Sequence, residues 1–257
     1  MTPALAGIRI FPIKALDALV LDECALLPGG ALAGDRRLAM LDREAHYVNG
    51  KRHPGVHRIR ARYSKAADRV TLSAPDHPAR DFALDADLGA LAEWLSGALG
   101  QPIRLACDDE GGFPDDRKAS GPTVVSTASI EEVARWFPEI DAQSVRRRFR
   151  ANLEIGGVPP FWEDRLYGPA GTTVAFRIGA ATLGGTNPCQ RCPVPPRDPD
   201  TGEILSGFQK RFSDRRRETL PAWAEASRFD HFYRFTVNTV APGQGERVLR
   251  VGDPIAL

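Results

Sequence analysis

The sequence has few cysteines, no long apolar run and almost no net charge. Four cysteines in 257 residues are too few for a disulfide scaffold, which indicates a reducing compartment where thiols stay free for chemistry. The longest apolar stretches, such as residues 15–21, fall far short of the ~20 residues that a membrane-spanning helix needs. Lys plus Arg number 34 against 33 Asp plus Glu, so the total charge predicts no polyanionic partner. We therefore expect neither a membrane nor nucleic acid among the partners.

The amino terminus also lacks the pattern of a secretory signal. Residues 1–12 contain no basic segment followed by an apolar run and a small-residue cleavage site, so a cytoplasmic location is predicted. At roughly 100 to 200 residues per domain, the length allows one large domain or two modest ones. Hydrophobic residues at 42% and charged residues at 26% are typical of folded globular proteins.

The first hundred residues alternate short apolar-rich runs with turn-forming residues. The runs lie at residues 8–11, 19–27, 38–41, 56–63, 70–74 and 82–84. Glycine, proline, asparagine and aspartate fill the breaks, as in Asn49-Gly50 and Pro54-Gly55. These patterns predict a series of short strands.

Near the end of this first unit, the spacing of apolar residues changes from that of strands to that of a helix. Residues 85–99 place their leucines on one helical face, and Gly100 follows the last turn. The acidic, glycine-bearing stretch at residues 108–116 has the composition of a linker or a surface loop. We therefore predict two domains, residues 1–107 and 108–257.

The second unit combines strands with a small number of helices. A helix is predicted over residues 126–137, because Ser129 and Glu132 have the spacing of a capping box and Pro138 ends the helical pattern. The other predicted elements are strands at residues 149–155, 173–178, 232–240 and 248–251, and a polar helix at 213–226 that Pro221 would interrupt. Many short strands with few helices predict a β-rich α+β fold built as barrels.

The pair Cys189 and Cys192, spaced as C-x-x-C, is the most informative motif. Structural zinc requires four ligands, and the sequence has no second C-x-x-C to complete the set. A thioredoxin-like pair normally opens a helix, where the helix dipole lowers the thiol pKa, and the prolines at residues 193, 195 and 196 prevent an ordinary helix.

Two further interpretations of the cysteine pair remain open. The cysteines could be two small buried hydrophobic residues ahead of an ordinary surface loop. Alternatively, the proline-stiffened loop could present one thiolate as a soft ligand to a heavy metal, with Arg191 and Arg197 favouring the thiolate. The spacing alone does not choose among the four interpretations.

Five segments of the chain together carry a more specific signal. They are Gly-Ile-Arg-Ile-Phe-Pro-Ile-Lys at 7–14, Gly-Asp-Arg-Arg at 34–37, Val-Ser-Thr-Ala-Ser at 125–129, Arg-Phe-Arg-Ala-Asn at 148–152, and Cys-Gln-Arg-Cys at 189–192 with Arg-Asp-Pro-Asp-Thr-Gly-Glu at 197–203. In this order they resemble the MOSC domain family, and within it the bacterial relatives of the mitochondrial amidoxime-reducing component. The resemblance implies an N-terminal MOSC β-barrel domain followed by a C-terminal MOSC β-barrel domain with a few helices.

The resemblance also implies a site for the molybdenum cofactor, a molybdopterin that carries the metal. One protein cysteine ligates molybdenum in the family, and Cys192 matches it, so Cys192 is the implied metal ligand and catalytic residue, whereas Cys189 is not needed as a ligand. Cations and hydroxyls would bind the cofactor's phosphate and pterin, because arginine forks and helix N-termini favour such anions. The implied cofactor-binding residues are Lys14, Arg36, Ser126, Thr127, Arg150, Asn152 and Arg191.

The sequence departs from the family pattern at two positions. Ala15 stands where the family has serine, which removes one hydroxyl donor beside the pterin, and Ala151 stands where it has proline. Without the resemblance, exposed charges on a barrel rim would be the ordinary explanation of Lys14 and Arg36.

Other charged groups have an ordinary explanation as well. The arginines at residues 146–148 are expected to form a solvated face. Lys51, Arg52 and His53 could reach the pocket or lie in a solvated loop. His231 beside Asp230 could be an acid/base pair, although a structural histidine is commoner.

The function implied by the resemblance is that of a molybdenum-cofactor-dependent oxidoreductase. It would reduce N-hydroxylated substrates such as amidoximes, hydroxylamines and N-hydroxylated bases. Because the chain has no second cysteine-rich cluster, the electrons would come from a separate iron-sulfur or flavin protein.

Two alternatives to this function stay open. A sulfur carrier or sulfur-transfer protein would hold a persulfide on Cys192 or Cys189, and a β-barrel binding module would bind no cofactor. Pyridoxal phosphate is not expected in any case, because no aminotransferase-like domain fits in this length.

Overall fold

The computed structural model describes residues 2–241 and 247–257. The strands are β1 (Ala4–Ile10), β2 (Leu19–Leu21), β3 (Glu23–Ala25), β4 (Leu38–Leu41), β5 (Arg60–Tyr63), β6 (Arg69–Ala74), β7 (His77–Ala83), β8 (Arg104–Cys107), β9 (Val124–Ser126), β10 (Leu153–Gly156), β11 (Val174–Ile178), β12 (Ala181–Gln190), β13 (Arg234–Val240), β14 (Val248–Arg250) and β15 (Ile255–Ala256). The helices are α1 (Leu88–Leu99), α2 (Thr127–Arg135), α3 (Ala142–Phe149) and α4 (Phe208–Glu218), with short 3-10 helices at Pro54–Arg58, Trp162–Leu166 and Ala226–Arg228. The predicted β-rich α+β class with few helices is confirmed.

An eight-stranded sheet joins the two ends of the chain. Its strand order is β15-β11-β12-β13-β9-β10-β1-β2, and within it β9 and β10 pair in parallel. Strand β1 lies between β10 and β2, so Ile8 pairs with Leu153 on one side and with Leu21 on the other. Strand β3 pairs with β14 near the carboxyl terminus. The first 25 residues therefore complete the sheet system of the second half.

Smaller sheets form the rest of the first half. Strands β5, β6 and β7 form a meander, and β4 pairs with β8. Helix α1 packs Leu91, Trp94 and Leu95 onto this part of the core because these residues share one helical face. Gly100 ends the helix in the left-handed conformation, with φ of 64°, which glycine adopts without steric cost.

The helices of the second half enclose an aromatic core. The side chain of Ser126 caps α2 and that of Asp141 caps α3, each accepting a hydrogen bond from a backbone N–H three residues later. Phe137 and Phe208 stack with ring centroids 4.4 Å apart, which fixes α4 against the turn after α2. These helices stand beside the carboxyl end of β12, where the cysteine pair lies.

Three predicted elements differ from the structure. The predicted strand at 149–155 is wrong at its start, because α3 continues to Phe149 and the strand covers Leu153–Gly156. The predicted strand at 56–63 begins as the 3-10 helix Pro54–Arg58, and the polar helix predicted at 213–226 lies earlier, at Phe208–Glu218. These runs of mixed apolar and basic residues fit both the two-residue period of a strand and the 3.6-residue period of a helix. Packing therefore decides which element forms and where it begins.

The domain prediction of 1–107 and 108–257 remains a prediction. Its residues 1 and 242–246 lie outside the described residues. The strands on either side of the predicted boundary are not separate, since β1 and β2 share a sheet with β9–β13. Among the described helices, none has the length and apolar character needed to traverse a bilayer.

Candidate functional site

A cavity of about 1140 Å³ is lined by both halves of the chain. Its walls come from the segments around residues 9–20, 31–36, 49–61 and 111–123, from α3 and the turn after it, and from residues 187–200. Arginine and lysine outnumber aspartate among the lining residues, although the net charge of the chain is only +1. The cavity thus concentrates positive charge that the rest of the molecule balances.

Most of the predicted site residues meet in this cavity. Those that line it are Lys14, Arg36, Arg150, Asn152, Arg191 and Cys192. They are far apart in sequence and are brought together because β1, β10 and β12 belong to one sheet. Ser126 and Thr127 are not among the lining residues.

Arg36 and Arg150 both lie over the ring of Phe11. Their guanidinium carbons are 5.0 Å and 4.0 Å from the ring centroid, which is cation–π distance. Arg36 pairs with Asp35, whereas the side chain of Arg150 makes no hydrogen bond or ion pair with the described residues. Burial, with Arg36 close by, lowers the pKa of Arg150 to about 10. An anion bound here would offset this repulsion.

The backbone at these arginines is in an unfavourable conformation. Arg36 has φ of 51°, Arg150 has φ of 55°, and Ala15, next to Lys14, has φ of 76°. Residues other than glycine seldom adopt the left-handed region, and such positions cluster at functional sites. Here the conformation ends α3 at Arg150, and the arginine side chain lines the cavity.

Lys14 is buried at the cavity wall. Its ammonium group donates to the carbonyl oxygen of Phe113 at 2.8 Å and pairs with Asp115. Burial lowers the pKa of Lys14, an effect that Asp115 opposes. Lys14 therefore has a carboxylate partner already, unlike Arg150.

The Asn152 side chain is occupied by the protein itself. Its Oδ1 accepts from the backbone N–H of Thr123 at 3.2 Å and from the Thr123 hydroxyl at 3.1 Å. Its Nδ2 donates to the carbonyl oxygen of Arg9 at 3.0 Å. Asn152 thus joins three segments of the cavity wall and supports the site more than it offers free donors to a ligand.

Ser126 and Thr127 serve the fold in the positions where the structure places them. Ser126 is fully buried, and its hydroxyl caps α2 and shares a 2.7 Å hydrogen bond with the hydroxyl of Ser129. The Thr127 hydroxyl donates to Glu154 at 2.9 Å. Contact between these hydroxyls and a cofactor stays a prediction, because both hydroxyls already bind protein groups and neither residue lines the cavity.

The two cysteines of the C-x-x-C motif differ in their surroundings. Cys189 is half-buried in β12, and Nη1 of Arg191 lies 3.2 Å from its sulfur. Arg191 also donates to the carbonyl oxygen of Phe149 at 2.9 Å, so it bridges the cysteine segment and the end of α3. Cys192 is exposed and lines the cavity.

The zinc and thioredoxin-like interpretations find no support in this geometry. In the described part of the chain, the one group of possible metal ligands within reach of one another is Asp42, Glu44 and His46, which contains no cysteine. Cys189 lies in a strand and not at the start of a helix, so no helix dipole acts on it. Cys24 is buried in β3 and Cys107 lies on β8, and neither lines the cavity.

The arginines at 146–148 do not form a solvated face, and this expectation was wrong. Arg146 pairs with Glu154 at 2.6 Å and Arg147 pairs with Asp200 at 2.7 Å. Arg148 is only 4% exposed and bonds to the loop after Cys192. The spacing of Arg148 from Val145, three residues apart on the buried face of α3, was the signal that sequence analysis could have used.

His57 is a cavity residue that the sequence analysis did not single out. Burial, together with the charges of Arg197 and Arg150, lowers its pKa, so the imidazole is neutral at pH 7. Of the basic segment that follows the turn at Gly50, Lys51 lines the cavity. His231 and Asp230 do not line it.

Comparison with known families agrees with this architecture. The model of the MOSC N-terminal beta barrel domain matches residues 2–92, and that of the MOSC domain matches residues 116–256. The chain belongs to the MOSC domain family. Both MOSC domains implied by the resemblance are thereby confirmed.

Two curated relatives of this MOSC protein are named molybdenum cofactor sulfurase. That of Caenorhabditis briggsae is 25% identical over 224 residues, covering 78% of this chain and 30% of the relative. That of Caenorhabditis elegans is 27% identical over 117 residues, covering 44% of this chain and 15% of the relative. The chain thus spans less than a third of the length of these relatives. The solved structure of the YUAD protein from Bacillus subtilis aligns with 99% of this chain and 94% of its own, at 13% identity and a TM-score of 0.38.

Proposed function

We propose that this MOSC protein binds the molybdenum cofactor in the cavity and reduces N-hydroxylated substrates with electrons from a separate redox protein. The observation that carries the proposal is the arrangement around Arg150. A cation without a protein partner lies in the same cavity as the exposed thiol of Cys192. An anionic group at one end and a thiolate-ligated metal at the other is the combination that a molybdopterin presents.

The residues fit the cofactor in charge and in donor chemistry. Arg150, supported by Arg36 and Lys14, would hold the phosphate, since guanidinium groups bind phosphate oxygens through two parallel hydrogen bonds. The buried Nε atom of Arg191 has no hydrogen-bond partner among the described residues and is a further donor near the cysteines. Cys192 would supply the soft sulfur ligand that molybdenum takes from the protein.

When bound, the cofactor supplies an oxygen-atom acceptor that changes oxidation state by two electrons. Cleavage of the substrate's N–O bond consumes two electrons and two protons and releases the oxygen as water. The chain's part is to hold the phosphate through Arg150, to present Cys192 on a fixed loop and to exclude bulk water.

Reduction of an amidoxime by the purified protein tests this proposal. Chemically reduced viologen replaces the unknown electron donor, so the assay requires no partner. We expect turnover by the wild-type protein, its loss in Cys192→Ser, and wild-type rates in Cys107→Ser, whose exposed cysteine lies outside the cavity. Equal rates in Cys192→Ser and wild type would contradict the proposal.

Sulfur transfer is the second candidate, favoured by the names of the two sulfurase relatives. Cys189 beside Arg191 would be the stabilised carrier of a persulfide, because a guanidinium favours the anionic sulfur. Mass spectrometry of cysteine peptides, before and after incubation with a polysulfide that transfers one sulfane sulfur to a thiolate, separates the two candidates. One added sulfur on Cys189 without bound pterin supports transfer, whereas pterin without added sulfur supports the reductase.

A further inference from the structure

The loop after Cys192 is folded on itself although it contains no helix and no extended strand. Leu205 N donates to the carbonyl oxygen of Pro196 at 2.8 Å, and Asp198 N donates to that of Glu203 at 2.6 Å. The Asp198 carboxylate accepts from two further backbone N–H groups within the loop, each at 2.9 Å. Residues 194–205, here called the cysteine loop, therefore form one compact unit. Only Pro193 separates this unit from Cys192.

Arg148 fastens this unit to α3. Its Nη1 donates to the carbonyl oxygen of Pro195 at 3.0 Å and also to that of Arg197, and its Nη2 pairs with Asp198 at 3.4 Å. Its Nε donates to the Ser144 hydroxyl at 3.0 Å within α3. At 4% exposure, this is a buried cation, and two of its four hydrogen-bond partners are carbonyl oxygens of the cysteine loop.

The contacts require the shape of the arginine side chain. A guanidinium group offers its donors in a rigid planar fork, so one residue can hold α3 and two loop carbonyls at fixed distances. A lysine at this position could reach one or two of these acceptors and would leave the others buried without a donor. The remaining carbonyls would then favour displacement of the loop toward water.

A second set of contacts reaches the loop from Arg147 of α3 and from Arg60 in the first half of the chain. Arg147 donates to both oxygens of Asp200, at 2.7 and 2.8 Å, and Arg60 of β5 reaches the same carboxylate at 2.9 Å. Arg60 and Arg147 also donate to the carbonyl oxygen of Pro199. These contacts are more exposed than those of Arg148 and are screened by solvent, so we assign them the smaller contribution.

We propose that Arg148 is a positioning residue that fixes the cysteine loop and thereby holds the Cys192 thiol at the cavity wall. The inference rests on the proposed function only for the role given to Cys192. The contacts themselves concern the protein without any cofactor. The arrangement makes α3 a common support, because the same helix ends at Arg150 and so carries the anion site as well.

A spin label on Cys192 measures the position of the loop without cofactor or turnover. The label is attached in a variant whose other three cysteines are alanine, and its mobility is read from the electron paramagnetic resonance line shape. We expect Arg148→Met to mobilise the label and to speed amide exchange at Arg197 and Leu205 by about tenfold. Arg148→Lys keeps the charge but not the fork, and we expect a change in the same direction.

Two controls separate positioning from loss of stability. Val133→Ala removes core volume beside α3 without touching the loop. Under conditions where its free energy of unfolding equals that of the Arg148 variants, it should leave the Cys192 line shape unchanged. A label on Cys107 instead should be unaffected by any of the variants. An unchanged Cys192 line shape in both Arg148 variants, or the same change in Val133→Ala, would overturn the inference. Because the protein is tested without cofactor, failure of the proposed function would leave this result intact.

Discussion

Single residues in this protein combine structural and chemical roles that can be separated by substitution. Arg150 is the clearest case, because it ends α3 in a left-handed conformation and presents an unpaired cation to the cavity. Arg36 and Lys14 stand in the same wall but have carboxylate partners. The chemistry of the site thus depends on which cation lacks a partner more than on how many cations are present.

We predict that Arg150→Met abolishes the response of the protein to phosphate. The loss of the cation–π contact and the removal of a buried charge oppose each other, so the free energy of unfolding should change by less than ~1 kcal/mol. Thermal unfolding in phosphate and in chloride at equal ionic strength measures the effect. Wild type and Arg52→Met, which alters an arginine outside the cavity, should be stabilised by phosphate. Phosphate stabilisation retained in Arg150→Met would contradict this assignment.

A second residue-scale prediction concerns Glu163, which is buried beside Ser129. Burial, reinforced by Asp164, raises the pKa of Glu163 to about 7, so the folded state holds a proton that the unfolded state releases at lower pH. Stability contributed by this proton is present at low pH and is lost as pH rises through the folded pKa. Glu163→Gln should therefore gain stability relative to wild type as the pH rises from about 4.5 to about 7, by up to ~1.4 kcal/mol per pH unit, and the difference should level off above that range. Denaturant unfolding across that range checks it, and a difference independent of pH would refute it.

At the scale of elements, close backbone approach sets the position of β12 and hence of the cysteine pair. A Cβ atom added to Gly185 would lie 1.8 Å from the carbonyl oxygen of Leu166, which is backbone and cannot rotate away. Gly185→Ala should therefore cost about 3 kcal/mol or more of unfolding free energy. Gly89→Ala on α1 meets nothing within 4 Å and should be neutral or slightly stabilising. Similar denaturation midpoints for the two variants would show that β12 can move.

The helices and strands also show which parts of the fold could be predicted from the sequence. Strand β4 and the position of α2 followed from turn residues and from Pro138 after the helical pattern, because these signals are local. The helix α3 was not found, because its apolar and basic residues fit a strand equally well and its burial depends on a loop some 50 residues away. The capping box predicted from Ser129 and Glu132 was wrong, because Ser129 lies inside α2 and the hydroxyl of Ser126 caps the helix.

The candidate site was predictable only through the family resemblance. Composition and spacing left four interpretations of Cys189 and Cys192, and the resemblance selected Cys192, Arg36 and Arg150. Their meeting in one cavity depends on a sheet that pairs residues about 145 apart. His57 could not be assigned, because its surroundings come from distant segments, and for Arg148 the spacing from Val145 indicates burial but not the partners in the loop.

At the scale of the whole molecule, the amino-terminal strands and the second half of the chain stabilise each other through one shared core. Strand β1 is inserted between β10 and β2, and Leu5, Ile8 and Ile10 are buried in the same core as Leu153 and Ile155. We predict that a fragment of residues 108–257 has no cooperative thermal transition, since it exposes this core and one edge of β10. Circular dichroism of the fragment and the full chain compares them. A native-like transition in the fragment would establish that the second half folds alone.

The distribution of charge over the molecule leads to the central claim. Although the net charge of the chain is +1, arginine and lysine outnumber aspartate around a cavity that also holds the exposed Cys192. A uniformly basic surface would suit a polyanion, whereas a local concentration suits one compact anionic ligand. The proposal of cofactor binding therefore rests on this distribution more directly than the proposal of any particular substrate does.

The most direct test is the molybdenum and pterin content of protein purified from cells that make the cofactor. Elemental analysis and the fluorescence of the oxidised pterin are measured on wild type, Cys192→Ala and the control Cys107→Ala. We predict about one molybdenum and one pterin per chain in wild type and control, and loss of molybdenum in Cys192→Ala. Wild-type protein free of both, or a Cys192→Ala variant that keeps its molybdenum, would contradict the account.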